Sequence, residues 1–166
     1  CVVGPNVMCG YYNLPEKTNE SLGNFQGQRA FRTGDLGVID PATGEVFIKG
    51  RAKEQYKLLT GKFCVPGPLE DAVRLKSKGF IAQSFIWGLN KPHNVLLIVP
   101  DFANLRRALG NAAEKMSAQE LLASPEAQQI MHDDLTSVYA SNQVKGAKHY
   151  EIPLRYALLD HEFSIE

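Results

Sequence analysis

Ile81-Ala82-Gln83-Ser84-Phe85-Ile86-Trp87 and Asn94-Val95-Leu96-Leu97-Ile98-Val99 are two apolar runs of strand length, separated by Gly88-Leu89-Asn90-Lys91-Pro92. Gly, Asn and Pro in so short a connection signal a turn, so the runs predict neighbouring antiparallel strands. The second run is far shorter than the roughly 20 apolar residues needed to cross a bilayer. Helices flank this pair. Upstream, Gly67-Pro68-Leu69-Glu70-Asp71-Ala72-Val73 opens one, with Pro in the first turn and acids near its positive end. Downstream, Asp101 or a neighbour caps a helix through Leu105 and Leu109, and Ser117-Ala118-Gln119-Glu120 has capping-box spacing. Ser124-Pro125-Glu126 starts the longest helix, whose Ala127, Ile130, Met131, Leu135, Val138 and Tyr139 recur at helical spacing. Arg155 to Phe163 reads as a last strand.

Before Gly50 the character changes. Val2 to Met8 reads as a strand broken by a turn, and Leu14-Pro15-Glu16-Lys17-Thr18 as a polar connection. Phe31 to Asp40 reads as a strand and tight turn leading into another strand. Pro41-Ala42-Thr43-Gly44 and the alternating Glu45-Val46-Phe47-Ile48-Lys49 complete a hairpin. The expected fold class is therefore α+β. An all-β piece over residues 1–50 precedes an α+β domain over 51–166, whose mainly antiparallel sheet is flanked by helices. The joint is expected near Gly50 to Lys53. The chain starts at Cys1 inside a strand pattern and stops at Ser164-Ile165-Glu166, which predicts a piece of a longer protein.

The chain has 166 residues, 44% hydrophobic and 22% charged, an ordinary globular composition. Lys plus Arg is 18 and Asp plus Glu is 18, so the net charge is zero. That argues against a nucleic-acid partner and against strong attraction to an anionic membrane. Cys1, Cys9 and Cys64 form no CxxC pair, which argues against a disulfide framework and for a reducing compartment. His93, His132, His149 and His161 are scattered, so no metal site is expected.

Two segments carry chemistry. In Arg32-Thr33-Gly34-Asp35, Gly34 permits a tight backbone and Asp35 offers two acceptor oxygens to a cis-diol such as a ribose. By itself such an Asp more often satisfies turn amides. In Gly50-Arg51-Ala52-Lys53-Glu54-Gln55-Tyr56-Lys57, a continuous strand from Arg51 to Leu59 would place Arg51, Lys53, Gln55 and Lys57 on one face. Three cations in that row suit a phosphate-bearing ligand as well as they suit a solvated edge strand. Thr60-Gly61-Lys62 then turns the chain back into Phe63-Cys64-Val65.

Together these segments resemble core motifs of the adenylate-forming, AMP-binding superfamily. Phe31-Arg32-Thr33-Gly34-Asp35-Leu36-Gly37 looks like its seventh motif, and Gly50 to Lys57 with Thr60-Gly61-Lys62 like its eighth. Gly4 to Thr18 resembles the stretch before them. The wording Gly-Arg-Ala-Lys-Glu-Gln-Tyr-Lys-Leu, with Val65-Pro66 and Leu69-Glu70 following, is most similar to long-chain fatty-acyl-CoA synthetases. The resemblance implies a two-step ligation of a fatty acid to coenzyme A, driven by ATP with Mg2+. A carboxylate oxygen bonds to the α-phosphorus as pyrophosphate leaves. The coenzyme A thiol then displaces AMP from the acyl carbon. It further implies that Asp35 holds the ribose hydroxyls and that Arg51 lies near ribose and phosphate. Lys53 falls at the hinge, Lys57 serves the thioester step, and Gly61 approaches the pantetheine arm of coenzyme A.

Departures bear on activity. No Ser/Thr/Gly-rich phosphate loop is present, and no lysine after Phe163 matches the family's adenylation lysine. The fragment alone is therefore expected to be inactive, with the missing N-terminal domain of the same polypeptide as its partner. The implied location is cytoplasmic, and an acyl substrate leaves peripheral membrane association open. Two alternatives stand beside this reading. One is another adenylating ligase, acting on a short-chain or aryl acid. The other is a non-catalytic interaction module presenting the helical region 102–143. The plainer reading of that region is a set of helices packed on the domain's own sheet.

Overall fold

A computed structural model describes residues 1–140, 144 and 147–164. The chain divides into two compact units, Cys1–Lys53 and Glu54–Glu166. The division falls after Lys53 because the strand ending the first unit runs through Arg51.

The first unit contains β1 (Val2–Val3), helix α1 (Pro15–Ser21), β2 (Leu22–Phe25), β3 (Gln28–Phe31), β4 (Asp35–Ile39) and β5 (Val46–Arg51). β3 lies between β1 and β2, antiparallel to both, and β4 pairs with β5 in a separate hairpin. The hairpin matches the sequence pattern, with Gly44 in the left-handed region at φ 74° closing its turn. Helix α1 overturns the polar connection expected over Leu14 to Thr18 and the all-β reading of this unit. Pro15 supplies a pre-set φ in the first turn, where its missing N–H costs nothing. Thr18 Oγ1 donates to the Leu14 carbonyl and accepts from Tyr11 N–H, tying the helix to the preceding loop.

The expected continuous strand Arg51 to Leu59 is also overturned. β5 ends at Arg51, and Ala52–Glu54 forms a single 3-10 turn. Gly50 sits at φ 132°, and Ala52 N–H donates to the Gly34 carbonyl at 2.8 Å, so the chain leaves the ladder there. Alternation after Arg51 therefore has no strand to act on, and the four-residue cationic row does not form.

The second unit holds β6 (Tyr56–Lys57), β7 (Phe63–Cys64), α2 (Gly67–Lys76), β8 (Ile81–Trp87), β9 (Val95–Pro100), α3 (Phe102–Leu109), α4 (Ala118–Ala123), α5 (Pro125–Ala140) and β10 (Arg155–Leu158). β8 and β9 pair antiparallel, Ile86 opposite Leu96, as the turn at Gly88 to Pro92 predicts. β10 adds parallel to β9, so the sheet order is β10-β9-β8. Five of the six strand pairings among the described residues are antiparallel, and the fold is α+β. One core unites helices and sheet. Val73, Leu96, Ile98, Leu105, Leu121 and Met131 are all fully buried in it. Each such side chain contributes about 2 kcal/mol by leaving water. The helical region 102–140 thus packs on its own sheet; residues 141–143, which close the helical region as read from sequence, lie outside the described residues, as do Lys145 and the last two residues.

Candidate functional site

The first unit presents a site where β4 begins and β5 ends. Asp35 and Arg51 are direct cross-strand partners. Arg51 Nε lies 3.1 Å from Asp35 Oδ1, and Arg51 Nη1 donates to the Thr33 carbonyl at 3.2 Å. Gly34, at φ 79°, makes the turn that brings Thr33 under the guanidinium. Thr33 Oγ1 accepts from Asp35 N–H at 3.2 Å and fixes the start of the strand. One guanidinium thus bridges a carboxylate and a carbonyl through its planar fork, which a lysine would not do. Asp35 Oδ2 and Arg51 Nη2 make no hydrogen bond or ion pair among the described residues. Both groups are partly open to solvent, so one acceptor and one charged donor stand ready side by side. Thr33 is the residue here to which the motif reading gave no part.

The second unit presents the β6–β7 hairpin. Lys57 pairs with Phe63 across it, and Lys57 Nζ lies 5.7 Å from the Phe63 ring centroid. Gly61 sits in the turn at φ 82°, where any side chain would be strained, and its N–H donates to the Leu58 carbonyl at 2.9 Å. A Cβ on Gly61 would come within 3.8 Å of Lys57 Cε, so the hairpin brings these two together. Lys53 falls in the 3-10 turn as the last residue of the first unit, with its side chain exposed.

Beneath the hairpin lies a buried polar network that no local pattern in the sequence signals. The Tyr56 hydroxyl donates to Asn94 Oδ1 at 2.8 Å. Asn94, itself buried, donates from Nδ2 to the Glu151 carbonyl at 2.7 Å and to Cys64 Sγ at 3.5 Å. Burial holds the Tyr56 hydroxyl and the Cys64 thiol above their ordinary titration ranges, so both remain protonated at neutral pH. A Cβ added to Gly88 would collide with Asn94 Oδ1, so only glycine lets the loop lie against this network. The network fixes the strand that carries Lys57 from below. At the β8 edge of the sheet, Glu70 Oε1 accepts from Ile86 N–H at 2.6 Å, and Ser84 Oγ donates to the Glu70 carbonyl. Among the described residues no three His, Cys, Asp or Glu side chains gather as a metal site would require.

No family model matches the chain. Its whole length is 28% identical to long-chain-fatty-acid–CoA ligase 1 of Cavia porcellus, of which it spans 23%. Over 91 residues, 55% of the chain, it is 41% identical to "Probable 4-coumarate--CoA ligase 2" of Dictyostelium discoideum, covering 15% of that protein. Among solved structures, the A domain of a carboxylic acid reductase from Segniliparus rugosus, in complex with AMP and a co-purified carboxylic acid, superposes with a TM-score of 0.67. That match is 20% identical and covers 96% of this chain and 22% of the other. The homologues of this chain are thus long-chain-fatty-acid–CoA ligases and other AMP-binding, adenylate-forming enzymes, and its α+β fold is one that solved adenylation domains contain.

Proposed function

We propose that the chain forms part of a longer ATP-dependent ligase that joins a long-chain fatty acid to coenzyme A through an acyl-adenylate. The Asp35–Arg51 arrangement carries the nucleotide half of this reading. Asp35 Oδ2 accepts the ribose hydroxyls, while Arg51, anchored on Asp35 Oδ1 and the Thr33 carbonyl, keeps Nη2 for ribose or phosphate oxygens. Lys57 acts in the thioester step and Gly61 lets the hairpin turn approach the pantetheine arm. Lys53 acts as the hinge about which the second unit moves between the two steps. Mg2+ offsets the triphosphate charge. Such an ion takes most of its oxygens from the phosphates and water and needs only one or two protein carboxylates.

Support for a long-chain acid comes from the extent of the likeness. The similarity to the Cavia porcellus ligase continues through the helical region, where the likeness to the coumarate ligase covers only 91 residues. The test is pyrophosphate release by the complete ligase with long-chain, short-chain and aryl acids, with the 166-residue chain as control. Release that needs a long-chain acid and is absent from the chain alone is expected. Release with an aryl or short-chain acid instead would move the reading to another ligase of the superfamily. Partner binding that needs no nucleotide and ignores Asp35→Ala would favour an interaction module.

A further inference from the structure

A row of four aromatic rings ends on the residue next to Lys57. Side chains alternate between faces along β8, so Phe85 and Trp87 project opposite to Ile86, which is buried in the core. Phe85 and Trp87 lie nearly parallel, with an interplanar angle of 16° and centroids 6.1 Å apart. Trp87 meets Tyr56 at 5.5 Å, and Phe85 meets Phe163 edge-on at 6.0 Å. These separations fall in the range of about 4.5–7 Å that aromatic pairs favour.

Both ends of the row are tied down. Leu159 N–H donates to the Ile98 carbonyl, Gln119 Nε2 to Asp160 Oδ2, and Phe163 N–H to Gln83 Oε1, each at 2.8 Å. The segment after β10 therefore crosses from β9 to β8 and lays Phe163 on Phe85. At the other end Tyr56 is gripped twice, its ring by Trp87 and its hydroxyl by Asn94. Burial, with Cys64 and the charges of Glu70 and Glu151 beside it, keeps that hydroxyl protonated and able to donate. The backbone after Trp87 closes on the same strand. Gly88 leaves no room for a Cβ against Asn94 and Leu58, Asn90 N–H donates to the Lys57 carbonyl at 3.0 Å, and Leu59 N–H donates to the Lys91 carbonyl at 2.9 Å. Side-chain and main-chain support of Lys57 thus meet at Trp87.

The row adds little to the core. Phe85, Trp87 and Phe163 are 41%, 42% and 40% exposed, and none belongs to the buried cluster that unites helices and sheet. Their arrangement serves position more than stability. We propose that Trp87, backed by Phe85 and Phe163, is a positioning residue for the thioester step, holding Tyr56 and the backbone of Lys57 in place. This rests on the reading of Lys57 given above. It adds that the segment after β10 acts on the β6–β7 hairpin through the ring row.

The test is single-turnover kinetics of the complete ligase, with pyrophosphate release reporting the adenylate step and coenzyme A consumption the thioester step, beside thermal midpoints. Trp87→Leu should slow thioester formation about tenfold, since a displacement of about 1 Å can cost about a hundredfold. Adenylate formation and the thermal midpoint should change little. Trp87→Phe keeps a ring against Tyr56 and should restore most of the rate. Phe163→Leu, at the far end of the row, should slow the same step about threefold, the loss of one edge-on contact. Trp87→Leu added to Lys57→Ala should cost nothing further, because the ring acts only through that lysine. Trp87→Leu that changes neither step, slows both equally or multiplies the Lys57→Ala loss would overturn the proposal and leave the reading of Lys57 intact. Thioester formation unaffected by Lys57→Ala would overturn that reading and the proposal with it. If Trp87→Leu loses its thermal transition, Phe163→Leu, alone and combined with Lys57→Ala, decides by the same criteria.

Discussion

Asp35 and Arg51 stand directly opposite each other in the β4–β5 ladder, and a single guanidinium spans from Asp35 Oδ1 to the Thr33 carbonyl. An exposed pair of this kind adds at most about 1 kcal/mol to stability, so its geometry serves position more than folding. Arg51→Lys keeps the charge and loses the fork. In the complete ligase, AMP affinity measured by calorimetry should fall about tenfold, the loss of roughly one charge-assisted hydrogen bond. Asp35→Ala should cost more, about a hundredfold, because it removes the diol acceptor and the anchor of Arg51 together. Unaltered AMP affinity in both variants would remove the nucleotide role.

Lys57 is held on a hairpin whose underside is pinned by the Tyr56–Asn94 hydrogen bond, while its ammonium reaches over Phe63. A group so placed can serve one half-reaction and be dispensable to the other. In the complete ligase, Lys57→Ala should slow thioester formation by about a hundredfold, a typical cost of losing one donor to a developing charge. Single-turnover adenylate formation should change little. Equal loss in both steps would refute the assignment.

Much of this architecture was legible because its signals are local. The turn at Gly88 to Pro92, the Asp101 cap on Asn104 N–H and the Ser117–Glu120 capping box all act within a few residues. Helix α1 was not legible: it buries no residue, and Leu14 at its cap makes no side-chain hydrogen bond. The cationic row failed for a different reason. Alternation is meaningful only while the backbone stays extended, and Gly50 with the Ala52–Gly34 hydrogen bond ends β5 first. The parallel pairing of β10 and the Tyr56–Asn94 bond, 38 residues apart, depend on tertiary placement and leave no mark in a local pattern. Of the site residues, Asp35 and Arg51 were found through motif wording. The support from Thr33 and Asn94 was visible only once the strands were in place.

Helix α5 offers a paired contrast in buried polar groups. Asp134 accepts from Ser77 Oγ at 2.6 Å and from Lys78 N–H at 2.9 Å, closing the end of α2 against α5. The Tyr139 hydroxyl is buried with no hydrogen-bond partner among the described residues, and burial pushes its pKa up to about 12. Asp134→Ala strands two donors and should destabilise by about 2–4 kcal/mol in urea denaturation. Tyr139→Phe removes an unpaired group and should be neutral or stabilise by about 1 kcal/mol. A large loss in Tyr139→Phe would mean that the hydroxyl has a partner after all.

Glu70 gives the clearest dependence on pH. Its carboxyl is half-buried on α2, and burial raises its pKa above the ordinary glutamate value, with the Glu54 and Asp71 charges adding to the rise. The Ile86 N–H opposes the shift without cancelling it. The folded state therefore binds this proton more tightly than the unfolded state does. Stability from this group is greatest below the unfolded glutamate pKa and declines as pH rises through the raised folded value. Glu70→Gln keeps an acceptor for Ile86 N–H and removes the titration. The stability of the variant minus that of the unaltered chain should then increase with pH across that window and level off above it. Denaturant midpoints across an acidic-to-neutral pH series test this. A flat difference would show that the Ile86 hydrogen bond balances burial at this site, and one that falls with pH that it outweighs burial; either would refute a raised Glu70 pKa.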